Sequence, residues 1–258
     1  MKPSVLALAV AWMGLAPSVR AAVKTQEIEY KQGDTTLMGV LAYDDAVKGK
    51  RPGVLVVHEW WGMNEHARNQ AVRLAKAGYV AFALDMYGKG KVATHPKDAE
   101  AFMQAALKEG AAARFNAGLE VLKKQPQVDA DKIAAIGYCF GGGVVLGMAR
   151  AGAALDAVAT FHGHLAADGH PAEKGKIKAK ILVQTGGADP MVPKEQVAAF
   201  EKEMKDAGVT PTVITYPKAK HSFTNPGADK AGMDGLAYDA DADKKSWDEL
   251  LTFLKKSF

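Results

Sequence analysis

The stretch Ile133-Ala134-Ala135-Ile136-Gly137-Tyr138-Cys139-Phe140-Gly141-Gly142-Gly143 decides the fold. An apolar run that ends in glycine and passes at once into small residues reads as a buried strand feeding a helix through one tight turn. Glycine two positions either side of Cys139 lets strand and helix approach where a β-carbon would collide. Such a turn holds its central side chain up at the sheet edge, with nearby backbone N–H groups aimed at whatever that side chain meets. A thiol at a helix N-terminus is also biased towards thiolate by the helix dipole. The plain alternative is a small buried cysteine, the usual fate of an unpaired one.

Working outward from this turn, strands and helices alternate. Val23–Tyr30 and Thr35–Tyr43, separated by Gly33-Asp34, predict an N-terminal β-hairpin. Val54–His58, Tyr79–Leu84, Ile133–Gly137, Ala157–Phe161, Ile181–Thr185 and Thr212–Tyr216 are short apolar runs of the kind buried on both faces. Between them the spacing predicts helices from Asn64 to about Ala77, over Pro96–Glu109, Ala111–Lys124 and Gly141–Arg150, and from Lys194 to about Ala207. A last helix is predicted over Trp247–Lys256. The expected fold is α/β: one mostly parallel central sheet with helices on both faces, the hairpin at its start. In such sheets the chemistry gathers where strands end and helices begin.

A nucleophile needs a base, and the base an orienting acid, which in this order of elements follow the nucleophile as acid and then histidine. Asp189 leaves the strand Ile181–Thr185 in the loop Gly186-Gly187-Ala188-Asp189-Pro190, and His221 follows the strand Thr212–Tyr216. Alone, the first reads as a turn aspartate and the second as a loop histidine; in sequence behind Cys139 they read as acid and base. Glu59-Trp60-Trp61-Gly62 follows a central strand at the same sheet edge, where a carboxylate must be paired and the Trp60 N–H could join that of Phe140 around an oxyanion. Trp61, Tyr138, His162 and Phe223 are the expected pocket walls. His58 reads as structural, and His66 and His95 as surface residues. No carboxylate or second Cys joins His162, His164 and His170 at ligand spacing, so neither metal nor other cofactor is expected.

These stretches together resemble the dienelactone hydrolase family of α/β-hydrolases: His58–Gly62, Gly78-Tyr79 through Leu84–Tyr87, Gly137–Gly142, Gly187–Asp189 and Ala219–Phe223. The resemblance implies an α/β-hydrolase fold and a Cys139–His221–Asp189 triad. It implies that Glu59 matches the glutamate that holds the resting thiol, with Trp60 and Phe140 N–H groups forming the oxyanion hole. It also implies cofactor-free hydrolysis of an ester or lactone through an acyl-thioester. This sequence departs from the family where an arginine for the substrate carboxylate is expected after His-Ser-Phe: here stand Thr224-Asn225-Pro226. Arg114 lies in a plausible region for a second arginine, but its match is too weak to carry the role over.

Composition bounds the rest. With 258 residues, 48% hydrophobic and 24% charged, the chain has the make-up of a globular protein with a normal core, and one Cys excludes a disulfide framework. Met1-Lys2, the apolar run Val5–Ala16, Pro17 and Val19-Arg20-Ala21 read as an export signal cut after Ala21. Residues 22–258 are then a single domain, periplasmic or secreted; a retained N-terminal anchor is the competing reading. Losing Lys2 and Arg20 leaves 31 cationic against 29 acidic side chains, a net +2 instead of +4. That balance, without a Lys/Arg stripe, argues against nucleic acid, and no later run is apolar for long enough to hold a membrane. A small-molecule ester or lactone is the expected partner, and a monomer the default. Two rivals are an exported binding protein that has lost its chemistry and a thiol-redox protein, which would have to borrow a resolving thiol.

Overall fold

The computed structural model describes residues 23–258; the signal expected at 1–21 lies outside the described residues. Eight strands form one sheet in the order β1-β2-β4-β3-β5-β6-β7-β8. The hairpin is β1 (Val23–Gln32) and β2 (Thr35–Asp44), paired from Val23↔Asp44 to Gln32↔Thr35. Gly33, at φ +55°, supplies the left-handed turn that a residue with a β-carbon resists. β2 runs antiparallel to β4 (Val80–Leu84). From there β3 (Arg51–Val57), β5 (Val128–Tyr138), β6 (Ala157–Phe161), β7 (Lys180–Gly186) and β8 (Thr212–Tyr216) are all parallel.

Helices cover both faces, as right-handed crossovers between parallel strands require. On one face α3 (Ala111–Lys123), α4 (Phe140–Arg150) and α5 (Lys194–Asp206) bury Phe115, Val145 and Phe200. On the other, α1 (Glu65–Lys76) and α6 (Ala240–Ser257) bury Leu74, Leu250 and Leu254. Asn64 caps α1 by accepting from the Ala67 N–H at 3.2 Å. α2 (Pro96–Glu109) precedes α3 and is separated from it by Gly110, at φ +101°. Among the described residues no helix is long and apolar enough to cross a membrane.

The elements fall where the sequence places them, with α6 the main exception. It begins at Ala240 instead of Trp247, because the Asp239 carboxylate caps the N–H groups of Asp241 and Ala242. Its first two turns are largely polar, so apolar periodicity becomes visible only from Trp247 onward.

Candidate active site

The β5–α4 turn is as tight as its glycines imply. Cys139 sits at φ 51°, ψ −116°, a strained conformation for a residue with a side chain. A β-carbon at Gly137 would lie 2.1 Å from the Gly141 carbonyl oxygen, and one at Gly141 would lie 2.4 Å from that of Val57. Both neighbours are backbone and cannot swing aside. The Cys139 N–H donates to Phe161 O at 3.1 Å, which ties the turn to β6. The half-buried thiol is thereby held at the mouth of a cavity of about 880 Å³.

His221 lines the same cavity from the loop after β8. Its Nδ1 pairs with Asp189 Oδ2 at 2.8 Å. The other oxygen, Oδ1, accepts from the backbone N–H groups of Met191 and Val192 at 2.8 and 3.3 Å, so the carboxylate is fixed at both ends. An acceptor at Nδ1 keeps a proton there, so Nε2 is the nitrogen that gains or gives up a proton. That Nε2 is buried with no nitrogen or oxygen partner, and the polar group beside it is the Cys139 thiol. Burial alone lowers the His221 pKa, but the Cys139 sulfur and the Asp189 carboxylate outweigh it and raise it to about 10.

Trp60 and Phe140 carry the backbone N–H groups expected around an oxyanion. Phe140 is the first residue of α4, where an N–H has no partner inside the helix. Among the described residues neither N–H donates to a protein acceptor. The Trp60 carbonyl accepts from Tyr87 Oη at 3.0 Å, which steadies the loop.

Glu59 is placed differently from its expected role. Its buried carboxylate accepts from Ser222 Oγ and Asn225 Nδ2, both at 2.6 Å, and His66 Nδ1 lies 3.7 Å away. No hydrogen bond joins it to Cys139. Asn225, in the segment where the family's arginine is missing, therefore answers the desolvation of Glu59. Nothing local in the sequence announces Ser222 and Asn225 as partners; they are 163 and 166 residues away.

All four expected pocket residues are corrected. Tyr138, His162 and Phe223 are fully buried and do not line the cavity. Tyr138 points to the sheet face opposite its neighbour Cys139 and stacks on Phe161, ring centres 4.7 Å apart. His162 packs edge-on against His221 and Phe223, with Nε2 3.0 Å from Thr224 Oγ1. Burial, reinforced by His221 and His66, holds its pKa well below the ordinary value. Trp61 lines a separate polar depression with Asn69, Arg73 and Lys230. His66 is also corrected: it is buried on the inner side of α1, beside Gln70 Nε2 at 3.1 Å. The structural reading of His58 holds, since its Nε2 accepts from the Met86 N–H at 3.1 Å. Arg114 is buried and bonded to the Met86 carbonyl and Glu109.

The sequence model described as the dienelactone hydrolase family matches residues 37–258. The chain belongs to the dienelactone hydrolase family. Its solved relatives include a dienelactone hydrolase-like promiscuous phosphotriesterase from metagenomic libraries, 37% identical. That match has a TM-score of 0.86 and covers 92% of this chain and 99% of the other. Protein usf of Aquifex pyrophilus is 29% identical over 240 residues, covering 90% of this chain and 98% of that one. A candidate carboxymethylenebutenolidase of Aquifex aeolicus is 27% identical over 237 residues, 89% and 97% of the two chains. This dienelactone hydrolase family member is thus an α/β-hydrolase and a hydrolase acting on esters or lactones.

Proposed function

We propose that this family member cleaves an ester or lactone with Cys139 as nucleophile, through an acyl-thioester. The observation that carries the reading is His221 standing beside the strained Cys139 at one cavity, its buried Nε2 without a nitrogen or oxygen partner and its Nδ1 held by Asp189. The sulfur attacks the carbonyl carbon while His221, its Nδ1 held by Asp189, carries the proton. Trp60 and Phe140 N–H groups hold the oxyanion that forms. As the carbon–oxygen bond breaks, His221 returns the proton to the leaving alcohol and the acyl group stays on sulfur. Water then attacks the thioester with His221 as base, releasing the acid and restoring the thiol. Water and ester go in; acid and alcohol come out.

Glu59 belongs to this reading as a positioning residue for the Ser222–Asn225 segment that directly follows His221. The dienelactone itself is not carried over, because Thr224-Asn225-Pro226 stand where the arginine for its carboxylate is expected. Two rivals, a binding protein and a thiol-redox protein, have no observation that favours them over a complete triad.

The test is steady-state hydrolysis of a panel of small esters and lactones beside Cys139→Ala. Turnover in the wild type that vanishes in the variant supports the reading; equal rates in both contradict it. Export is part of the same proposal. Protein recovered from the periplasm should begin at Ala22, whereas an intact Met1 in the membrane fraction would contradict cleavage.

A further inference from the structure

α4 presents Gly143 and Gly147, one helical turn apart, to the cavity that Cys139 and His221 share. Unlike Gly137 and Gly141, neither is demanded by the packing. A β-carbon at Gly147 would meet nothing within 4 Å, and one at Gly143 only His164, at an ordinary 3.5 Å. Neither has the positive φ that would exclude other residues. Glycine inside a helix is destabilising relative to alanine, so the pair gives up helix stability and leaves open space.

Most of the surface around that space is apolar. Met103 and Leu107 of α2, Ala111 of α3 and Met148 of α4 line it. Among the described residues four large hydrophobic side chains are exposed, and two of them, Leu107 and Met191, stand at this cavity. Its one arginine is already committed. Arg150 donates to Glu203 from Nε and Nη2 at 2.9 and 2.8 Å, and to the Leu165 carbonyl at 2.7 Å. Lys176, also at the cavity, is exposed and paired with Glu173 at 2.9 Å. No guanidinium is therefore left to grip a carboxylate. His164 and His170 are exposed at the lining, the first paired with Asp168 at 3.1 Å. Among the described residues, the one buried side-chain atom of the lining without a nitrogen or oxygen partner is Nε2 of His221.

We propose that this slot along α4 receives the unbranched acyl chain of a neutral ester, and that Gly143 and Gly147 set the length that fits. The proposal rests on the thiol-hydrolase reading and names its substrate class. The leaving oxygen must face His221 to be protonated, so the alcohol takes the part of the cavity bounded by His221, Met191 and Leu236. The acyl chain is left the α4 wall. A cavity of about 880 Å³ is far larger than an acetyl group needs.

The experiment measures kcat/KM for p-nitrophenyl esters from acetate to decanoate, and for an octanoate analogue ending in a carboxylate. The proteins are the wild type, Gly147→Leu, Gly147→Ala and Cys139→Ala. The wild type should gain about threefold to fourfold per added methylene until the slot is full. The terminal carboxylate should cost about tenfold or more against octanoate. Gly147→Leu should lower the octanoate-to-acetate ratio by about tenfold. Gly147→Ala has free space for its β-carbon, so it should fold with a raised thermal midpoint and a smaller drop in the ratio. A flat chain-length profile, or a ratio unmoved in folded Gly147 variants, overturns the slot and leaves the hydrolase reading standing. Hydrolysis undiminished in Cys139→Ala overturns the hydrolase reading instead, and absence of turnover with every ester overturns both.

Discussion

His221 Nδ1 and Asp189 Oδ2 lie 2.8 Å apart, and this one bond decides which ring nitrogen faces the thiol. With Nδ1 bonded to Asp189, Nε2 is the ring nitrogen left to exchange a proton with the thiol. An amide at position 189 could donate to Nδ1 instead and turn the tautomer round. Asp189→Asn should therefore lower kcat by about 10³- to 10⁴-fold while leaving the fold intact, a magnitude taken from the analogous change in serine proteases. The His221 imidazole should also titrate at a lower pH, which NMR of the ring protons reads directly. Wild-type kcat in that variant would contradict the role of Asp189.

The same pairing gives stability a pH dependence. His221 has its pKa raised from 6.5 to about 10. The folded chain thus holds a proton that the unfolded chain has lost across that interval. The stabilisation is fully present below about pH 6.5 and is lost as pH rises through about 10. Thermal midpoints measured from pH 6 to 10 should fall more steeply in the wild type than in His221→Gln. Parallel curves would contradict the shift.

Gly141 tests the turn itself. A β-carbon there would sit 2.4 Å from the Val57 carbonyl oxygen and 2.6 Å from that of His58, both fixed in or beside β3. Gly141→Ala should destabilise the protein by about 1–3 kcal/mol or more in urea unfolding, as overpacking against backbone does. An unchanged midpoint would mean the turn has slack that the distances deny.

Asn225 tests the answer to the missing arginine. Asn225→Ala removes the Nδ2 donor at 2.6 Å and leaves one oxygen of buried Glu59 with only His66, 3.7 Å away. Stability should drop by about 1–3 kcal/mol, the cost of an unsatisfied buried acceptor. Glu59→Gln in the same background should recover part of that loss by removing the charge. Failure of the second change to recover any stability would contradict the pairing.

Much of this arrangement could be read from the chain. Short apolar runs gave away the buried strands, and Gly137 and Gly141 around Cys139 marked a turn that few other residues could make. Asp189 and His221 were recognisable because each follows a strand at the edge where the turn ends. The Glu59–Ser222–Asn225 cluster was not legible, since it joins residues from distant segments through side chains alone. The pocket walls were misplaced for a different reason. Tyr138, next to the nucleophile in sequence, points to the far face of the sheet, and the real walls come from Met103 and Leu107 on a helix with no motif. His66 reads as exposed because Gln70, four residues on and 3.1 Å from its ring, makes the inner side of α1 look polar.

The most direct test of the central claim is mass spectrometry of Cys139 during turnover. The protein is mixed with excess p-nitrophenyl ester, quenched in acid within the first turnovers and digested. The account predicts the acyl mass on the peptide carrying Cys139, removable by hydroxylamine as a thioester should be, and a matching burst of p-nitrophenol. Sustained turnover with Cys139 unmodified and no burst, together with an active Cys139→Ala, would contradict it.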